Sequence, residues 1–222
     1  MTNPAVLFDI DGTLVDSNYA HVAAWSRALD DVGHPVDSWR IHRGIGMDSQ
    51  LLLDDLLGGR AGDLGEEASR LNSEYYLAAA GSLRAFAHAR ELVDAVAARG
   101  LQVVLATSAP DDELELLRSV MGIDDTVAVV TSAGDVDQAK PAPDVVQVAL
   151  ARAEVQPGEA IMVGDSVWDV RGAAAAGVPC IGLLSGGTGR LELLEAGAIA
   201  VYDDAGDLLA HLDDSPIAGL VP

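Results

Sequence analysis

Asp9 and Asp11 stand one residue apart near the start of the chain, in the run Asp9-Ile10-Asp11-Gly12-Thr13. Neighbouring carboxylates repel, and burying both is costly without a cation. The pair therefore points to a hard divalent metal, to phosphate chemistry, or to both. Three further stretches carry groups of a related kind. Thr107-Ser108 follows an apolar run. Lys140-Pro141-Ala142-Pro143-Asp144 contains the only lysine of the chain. Gly164-Asp165-Ser166-Val167-Trp168-Asp169 adds two more carboxylates. The other cationic side chains, histidine apart, are arginines. A lysine kept at this one place suggests a need for a compact point charge instead of a planar fork.

These residues need elements that bring them together. The run Ala5-Val6-Leu7-Phe8, bounded by Pro4 and Gly12, reads as a buried strand. From about residue 86 onward, strands and helices alternate. Strands are expected at 102–106, 127–130, 160–163, 180–184 and 198–202. Helices are expected at 88–99, after Pro110, and at 142–152, 167–176 and 206–212. The pattern predicts an α/β fold with a parallel, doubly wound sheet. Such a sheet gathers its strand ends at one edge, so the four stretches can converge there.

Residues 17–85 break the alternation. Val22, Trp25, Leu29 and Val32 step by three and four along a helix that stops near Gly33. Further helical patterns cover 47–57 and 66–80. The expected layout is a core of 1–16 and 86–222 with an inserted all-helical cap domain at 17–85. Residues 14–17 and 82–85 are its connections. An insert at this point lies over the carboxyl edge of the sheet and is expected to act as a lid.

The chain has 222 residues and a formal net charge of -22. That charge argues against nucleic acid and against anionic membranes as partners. An anion site here must draw positive potential from a cation, a few basic side chains or helix N-termini. Cys180 is the single cysteine, so no intrachain disulfide forms, which fits a reducing cytoplasm. The N-terminus leads directly into a strand without a basic or apolar leader, so no signal peptide is expected. No apolar run has the length of a membrane span. A cytoplasmic monomer or homodimer is expected.

Taken in order, Asp-x-Asp-Gly-Thr, a strand-end threonine, Lys-Pro-x-Pro-Asp and Gly-Asp-Ser-x-x-Asp resemble the motif set of the haloacid dehalogenase superfamily. The resemblance covers nearly the whole chain and implies a Rossmann-like core with a helical cap. It implies roles as well. Asp9 would be the nucleophile, forming an aspartyl-phosphate. Asp11 would be the general acid and then the base. Asp9, the backbone carbonyl of Asp11 and Asp165 would hold Mg²⁺, with Asp169 as an outer or alternate carboxylate. Thr107, Ser108 and the backbone near Gly12 would bind the phosphoryl oxygens. Lys140 would neutralise charge between nucleophile and phosphate. Haloacid dehalogenases lack a carboxylate at the position of Asp11, and phosphonatases have alanine there. A phosphatase or a phosphomutase is therefore implied, acting on a small phosphorylated metabolite such as phosphoglycolate or a sugar phosphate.

His21 and Trp25 resemble the His-x-x-x-Trp stretch of β-phosphoglucomutases, which many phosphatases of the family share. The mutases also place a cap arginine where this chain reads Gly44-Ile45-Gly46-Met47. Met47 cannot grip a second phosphate, so a β-phosphoglucomutase-like activity is the alternative. Arg43 or His42 would have to substitute. Ser185-Gly186-Gly187-Thr188-Gly189 lacks a P-loop ending and reads as a plain loop. Trp39 and Trp168 are expected to pack. A signalling receiver domain would carry its phosphorylated aspartate after the third strand, and a catalytically dead binding protein would not keep the acidic set intact.

Overall fold

The computed structural model describes residues 3–123, 125–131 and 142–220. Lys140 and Pro141 lie outside the described residues. The first strand, β1 (Ala5–Phe8), is buried at every position. Successive side chains of a strand face opposite ways. Val6 and Phe8 join one apolar cluster, while Ala5 and Leu7 join another. A continuous apolar run is what a strand covered on both faces requires.

Four helices follow: α1 (Asn18–Asp31), α2 (Ser38–Gly44), α3 (Ser49–Leu57) and α4 (Ala61–Ala78). α1 and α4 pack along each other. Val22, Trp25, Leu29 and Ile41 meet Leu52 and Leu56 in a third cluster, separate from the two on the sheet. Asp48 caps α3 by accepting from the N–H groups of Gln50 and Leu51. α2 had no expectation in the sequence. It is seven residues long and buries only Ile41 and Gly44, too little for a 3.6-residue period to show. Trp39, on the same helix, is 64% exposed and does not pack as expected.

The two connections to the sheet pair with each other. Asp16 N–H donates to Arg84 O, and Phe86 N–H donates to Leu14 O, both at 2.9 Å. Val15 and Ala85 form an antiparallel bridge. Entry and exit of the helical segment are thereby held side by side.

The remaining elements are α5 (Ala89–Ala98), β2 (Gln102–Ala106), α6 (Asp111–Met121), β3 (Val129–Thr131), α7 (Asp144–Ala153), β4 (Ala160–Gly164), α8 (Val167–Ala175), β5 (Cys180–Leu183), α9 (Arg190–Ala196), β6 (Ala200–Tyr202) and α10 (Ala205–Ala210). The strands form one parallel sheet in the order β3-β2-β1-β4-β5-β6. α5, α6 and α10 cover the face of Phe8, and α7, α8 and α9 cover the face of Leu7. β3 starts later than its apolar run suggested. The N–H groups of Thr126 and Val127 turn back onto Ile123 O, which takes Val127 out of the strand.

β1 sits between β2 and β4, so the chain leaves it on one side and returns on the other. A reversal of strand order opens a crevice at the carboxyl ends of the strands. No described helix is long and apolar enough to cross a membrane.

Candidate active site

Asp9 follows β1, Thr107 follows β2 and Asp165 follows β4, so three neighbouring strands deliver three site residues to one edge. Asp9 N–H still donates to Val163 O at 2.9 Å, which fixes its backbone on the sheet. The next residues turn sharply. Gly12 has φ +74, a left-handed conformation that glycine adopts without strain, and its N–H donates to Val15 O at 2.9 Å.

Asp9, Asp165 and Asp169 are all buried and bring carboxylate oxygens within 4.8 Å of one another. Thr13 Oγ1 donates to Asp165 Oδ1 at 3.0 Å, and Asn18 Nδ2 donates to Asp165 Oδ2 at 2.9 Å. Ser166 donates to Asp169 Oδ2 twice, from N at 3.1 Å and from Oγ at 2.7 Å, as the capping box of α8. Glycines leave room for these carboxylates. A Cβ on Gly164 would come within 2.5 Å of Asp169 Cβ, and one on Gly12 within 2.6 Å of Asp165 Oδ2. A Cβ on Gly186 would collide with the Asp165 carboxylate. Beside this group, Asn18 Oδ1 is buried and has no hydrogen-bond donor among the described residues. Three buried carboxylates and an orphaned amide oxygen form an oxygen-only donor set that suits a hard divalent cation. Without one, the mutual repulsion of the carboxylates would be expensive.

Asp11 stands apart from that group and faces the helical segment. Its Oδ1 accepts from Ser17 Oγ at 2.5 Å and from Tyr76 OH at 3.4 Å, and lies 3.3 Å from His21 Nε2. The His21 ring stacks on Tyr76 with centroids 3.9 Å apart. Burial pulls the His21 pKa down, but the hydrogen bond and charge of Asp11, with the charge of Glu113, hold it above the ordinary value. Burial raises the Tyr76 hydroxyl far above its ordinary range, and the charges of Asp11 and Glu113 add to this, so it stays a donor. Burial also raises Glu113, and Asp11 reinforces that against the opposing pull of His21.

A cavity of about 430 Å³ opens between the sheet edge and the helices. Asp9, Asp11, Thr107 and Ser108 line it from the sheet, and His21 and Asn72 line it from the helices. The Thr107 hydroxyl accepts from Ala109 N–H at 3.1 Å, which shapes the loop after β2.

Arg43 does not line this cavity. Its guanidinium donates to Glu192 of α9 at 3.0 Å. His42 turns to Gly186 O at 3.0 Å and stacks on Tyr19. A strongly acidic surface offers nearby partners for exposed cations, and Arg43 takes one of them. Lys140 lies outside the described residues. Trp168 contributes a link of another sort: its Nε1 donates to Arg43 O at 3.1 Å, joining α8 to α2.

Several residues at the site were not singled out by sequence reasoning. Ser17 stands just before α1, yet its side chain makes no capping bond and donates to Asp11 instead. Asn18 had no evident signal. Gly186 belongs to the stretch read as a plain loop, but it packs against Asp165 and accepts from Asn18 at 3.2 Å. Its place just after a strand, at the edge shared by the other motifs, was the available clue. Tyr76 and Glu113 reach the site only through the packing of α4 and α6.

A family model for haloacid dehalogenase-like hydrolases matches residues 4–177. The chain belongs to this family. A phosphoglycolate phosphatase of Rhodospirillum rubrum is 33% identical over 216 residues, covering 92% of this chain and 88% of that protein. The pyrophosphatase PpaX of Bacillus velezensis is 30% identical over 191 residues, covering 81% of this chain and 82% of that protein. The crystal structure of a hydrolase from Pseudomonas syringae superposes with a TM-score of 0.91 at 35% identity, covering 96% of this chain and 99% of that one. This chain is thus an enzyme of the haloacid dehalogenase-like hydrolases, and the Rhodospirillum rubrum and Bacillus velezensis relatives are named as phosphatases.

Proposed function

We propose that this enzyme is a Mg²⁺-dependent phosphatase that hydrolyses a small phosphorylated metabolite through an aspartyl-phosphate on Asp9. One observation carries the reading. Two carboxylates a residue apart face different surroundings: Asp9 joins the buried acidic group, and Asp11 faces the hydroxyl and imidazole groups of the helical segment. Environments that differ this way divide nucleophile from acid/base.

The steps then follow from the chain's own groups. A carboxylate oxygen of Asp9 attacks phosphorus in line, and the bond from phosphorus to the alcohol oxygen breaks. Asp11 gives its proton to the departing oxygen. Water next attacks the phosphorus of the aspartyl-phosphate while Asp11 takes its proton, and Asp9 and inorganic phosphate are released. Thr107, Ser108 and backbone N–H groups near Gly12 hold the phosphoryl oxygens, and Lys140 supplies a point charge. Asp9, the Asp11 carbonyl, Asp165 and Asp169 would hold Mg²⁺, which when bound offsets negative charge on the carboxylates and the phosphoryl group. His21 and Tyr76 position Asp11 from the helical side.

We take residues 17–85 as a cap domain on a core of 1–16 and 86–222, acting in the cytoplasm as a monomer or homodimer. The separate apolar cluster and the paired connections support the division. A phosphatase is preferred to a mutase because Met47 lines the cavity and Arg43 does not, leaving a second phosphate without an arginine from this loop. Removal of divalent metal by EDTA is expected to abolish phosphate release from an aryl phosphate, and added Mg²⁺ to restore it. Full turnover in excess EDTA would contradict the metal's role.

A further inference from the structure

The far wall of the cavity carries groups that the proposed chemistry does not use. Glu113 lies in the first turn of α6, is 4% exposed and lines the cavity. Ser73 Oγ donates to its Oε1 at 3.2 Å. Ser69, Asn72 and Ser73 lie at positions i, i+3 and i+4 of α4, hence on one face, and all three line the cavity. Asn72 is 8% exposed, and its Oδ1 is buried with no hydrogen-bond donor among the described residues. The wall therefore presents one acceptor, Asn72 Oδ1, with no donor among the described residues, beside the Glu113 carboxyl group.

No arginine or lysine lines the cavity among the described residues. Arg43 is paired with Glu192, and His21 is in contact with Asp11. Lys140 lies outside the described residues and is assigned above to the phosphate. Asp48 adds another carboxylate to the lining. A substrate that brought its own carboxylate here would lie against Glu113 and Asp48, and the one basic side chain of the lining among the described residues, His21, is already engaged with Asp11. A leaving group bearing hydroxyls or an ammonium would satisfy Glu113 and Asn72. Sites built around unmet hydrogen-bonding groups discriminate strongly against analogues that leave them unpaired.

We propose that Glu113, with Ser69, Asn72 and Ser73, forms a subsite selecting phosphomonoesters of donor-rich, non-anionic alcohols and rejecting phosphorylated carboxylic acids. This rests on the phosphatase reading and narrows it. It also separates the chain from the activity named for its Rhodospirillum rubrum relative.

Three esters with a two-carbon skeleton and different ends test the proposal: 2-hydroxyethyl phosphate, O-phosphoethanolamine and 2-phosphoglycolate. They are compared by kcat/KM on the full chain with Mg²⁺, with p-nitrophenyl phosphate as a fourth substrate. At least one of the first two is expected to exceed 2-phosphoglycolate by about tenfold or more. The better of the two tells a polyol from an amino alcohol as the natural class. Glu113→Gln is expected to shrink that preference by about tenfold, mainly through KM. Equal or better use of 2-phosphoglycolate by the unmodified enzyme overturns the proposal, as does an unchanged preference in a folded Glu113→Gln variant. The comparison on the unmodified enzyme decides even if that variant does not fold. Release from p-nitrophenyl phosphate together with a preference for 2-phosphoglycolate sinks the subsite alone. No release from any of the four sinks the phosphatase reading and the subsite together.

Discussion

Asp9→Asn is expected to cut phosphate release from p-nitrophenyl phosphate by about four orders of magnitude or more, with the fold intact. Asparagine keeps the shape of the side chain, and Asp9 is buried at the end of the central strand, so the packing there is preserved. An amide is no nucleophile toward phosphorus, and the acidic group also loses one charge. The loss of charge works in the fold's favour. With Asp165 and Asp169 nearby, one negative charge fewer relieves repulsion in the metal-free protein. Thermal melting in EDTA is thus expected to be no lower for the variant than for the unmodified chain. Phosphate release assays and paired melts check both statements. Activity within tenfold of the unmodified enzyme contradicts the assignment of Asp9.

Asp11→Asn is expected to slow the first turnover of an alkyl phosphate by about two to four orders of magnitude. The alkoxide is a poor leaving group and needs the proton that Asp11 supplies. p-Nitrophenolate leaves without one, so its release in the first turnover is expected to fall much less. Later turnovers are expected to slow for both esters, because the water that frees Asp9 needs Asp11 as its base. Asparagine still offers an oxygen to Ser17 and Tyr76, so the contacts to the helical segment survive. Rapid-quench measurement of alcohol and of phosphate separates the two steps. Equal slowing of the first turnover for both esters would remove Asp11 from the role of acid.

The parallel sheet was legible because its strands are short apolar runs separated by helical periods and glycine turns. The convergence of Asp9, Thr107 and Asp165 followed from that, since strand ends of a parallel sheet share an edge. Lys140 was conspicuous as the only lysine, but it lies outside the described residues, and its part in the site rests on the family resemblance. α2 was not legible, because seven residues with two buried positions carry no period. Ser17 lay in a segment read only as a connection, and the turn at Gly12 brings it to Asp11. Arg43 was picked for its charge beside a glycine loop, but charge alone does not fix direction, and Glu192 on α9 holds it outside the cavity. Tyr76 and Asn72 lie far from every motif in sequence, and Glu113, five residues past Ser108, belongs to none. Their meeting is a product of how α4 and α6 are packed, which no local pattern records.

An acyl phosphate can be reduced by borohydride to an alcohol, so enzyme quenched during turnover and treated in this way would carry homoserine at the phosphorylated position. Peptide mass analysis is predicted to find that conversion at Asp9, only when substrate and Mg²⁺ are both present. Conversion at Asp11, Asp165 or Asp169 in place of Asp9 would contradict the account.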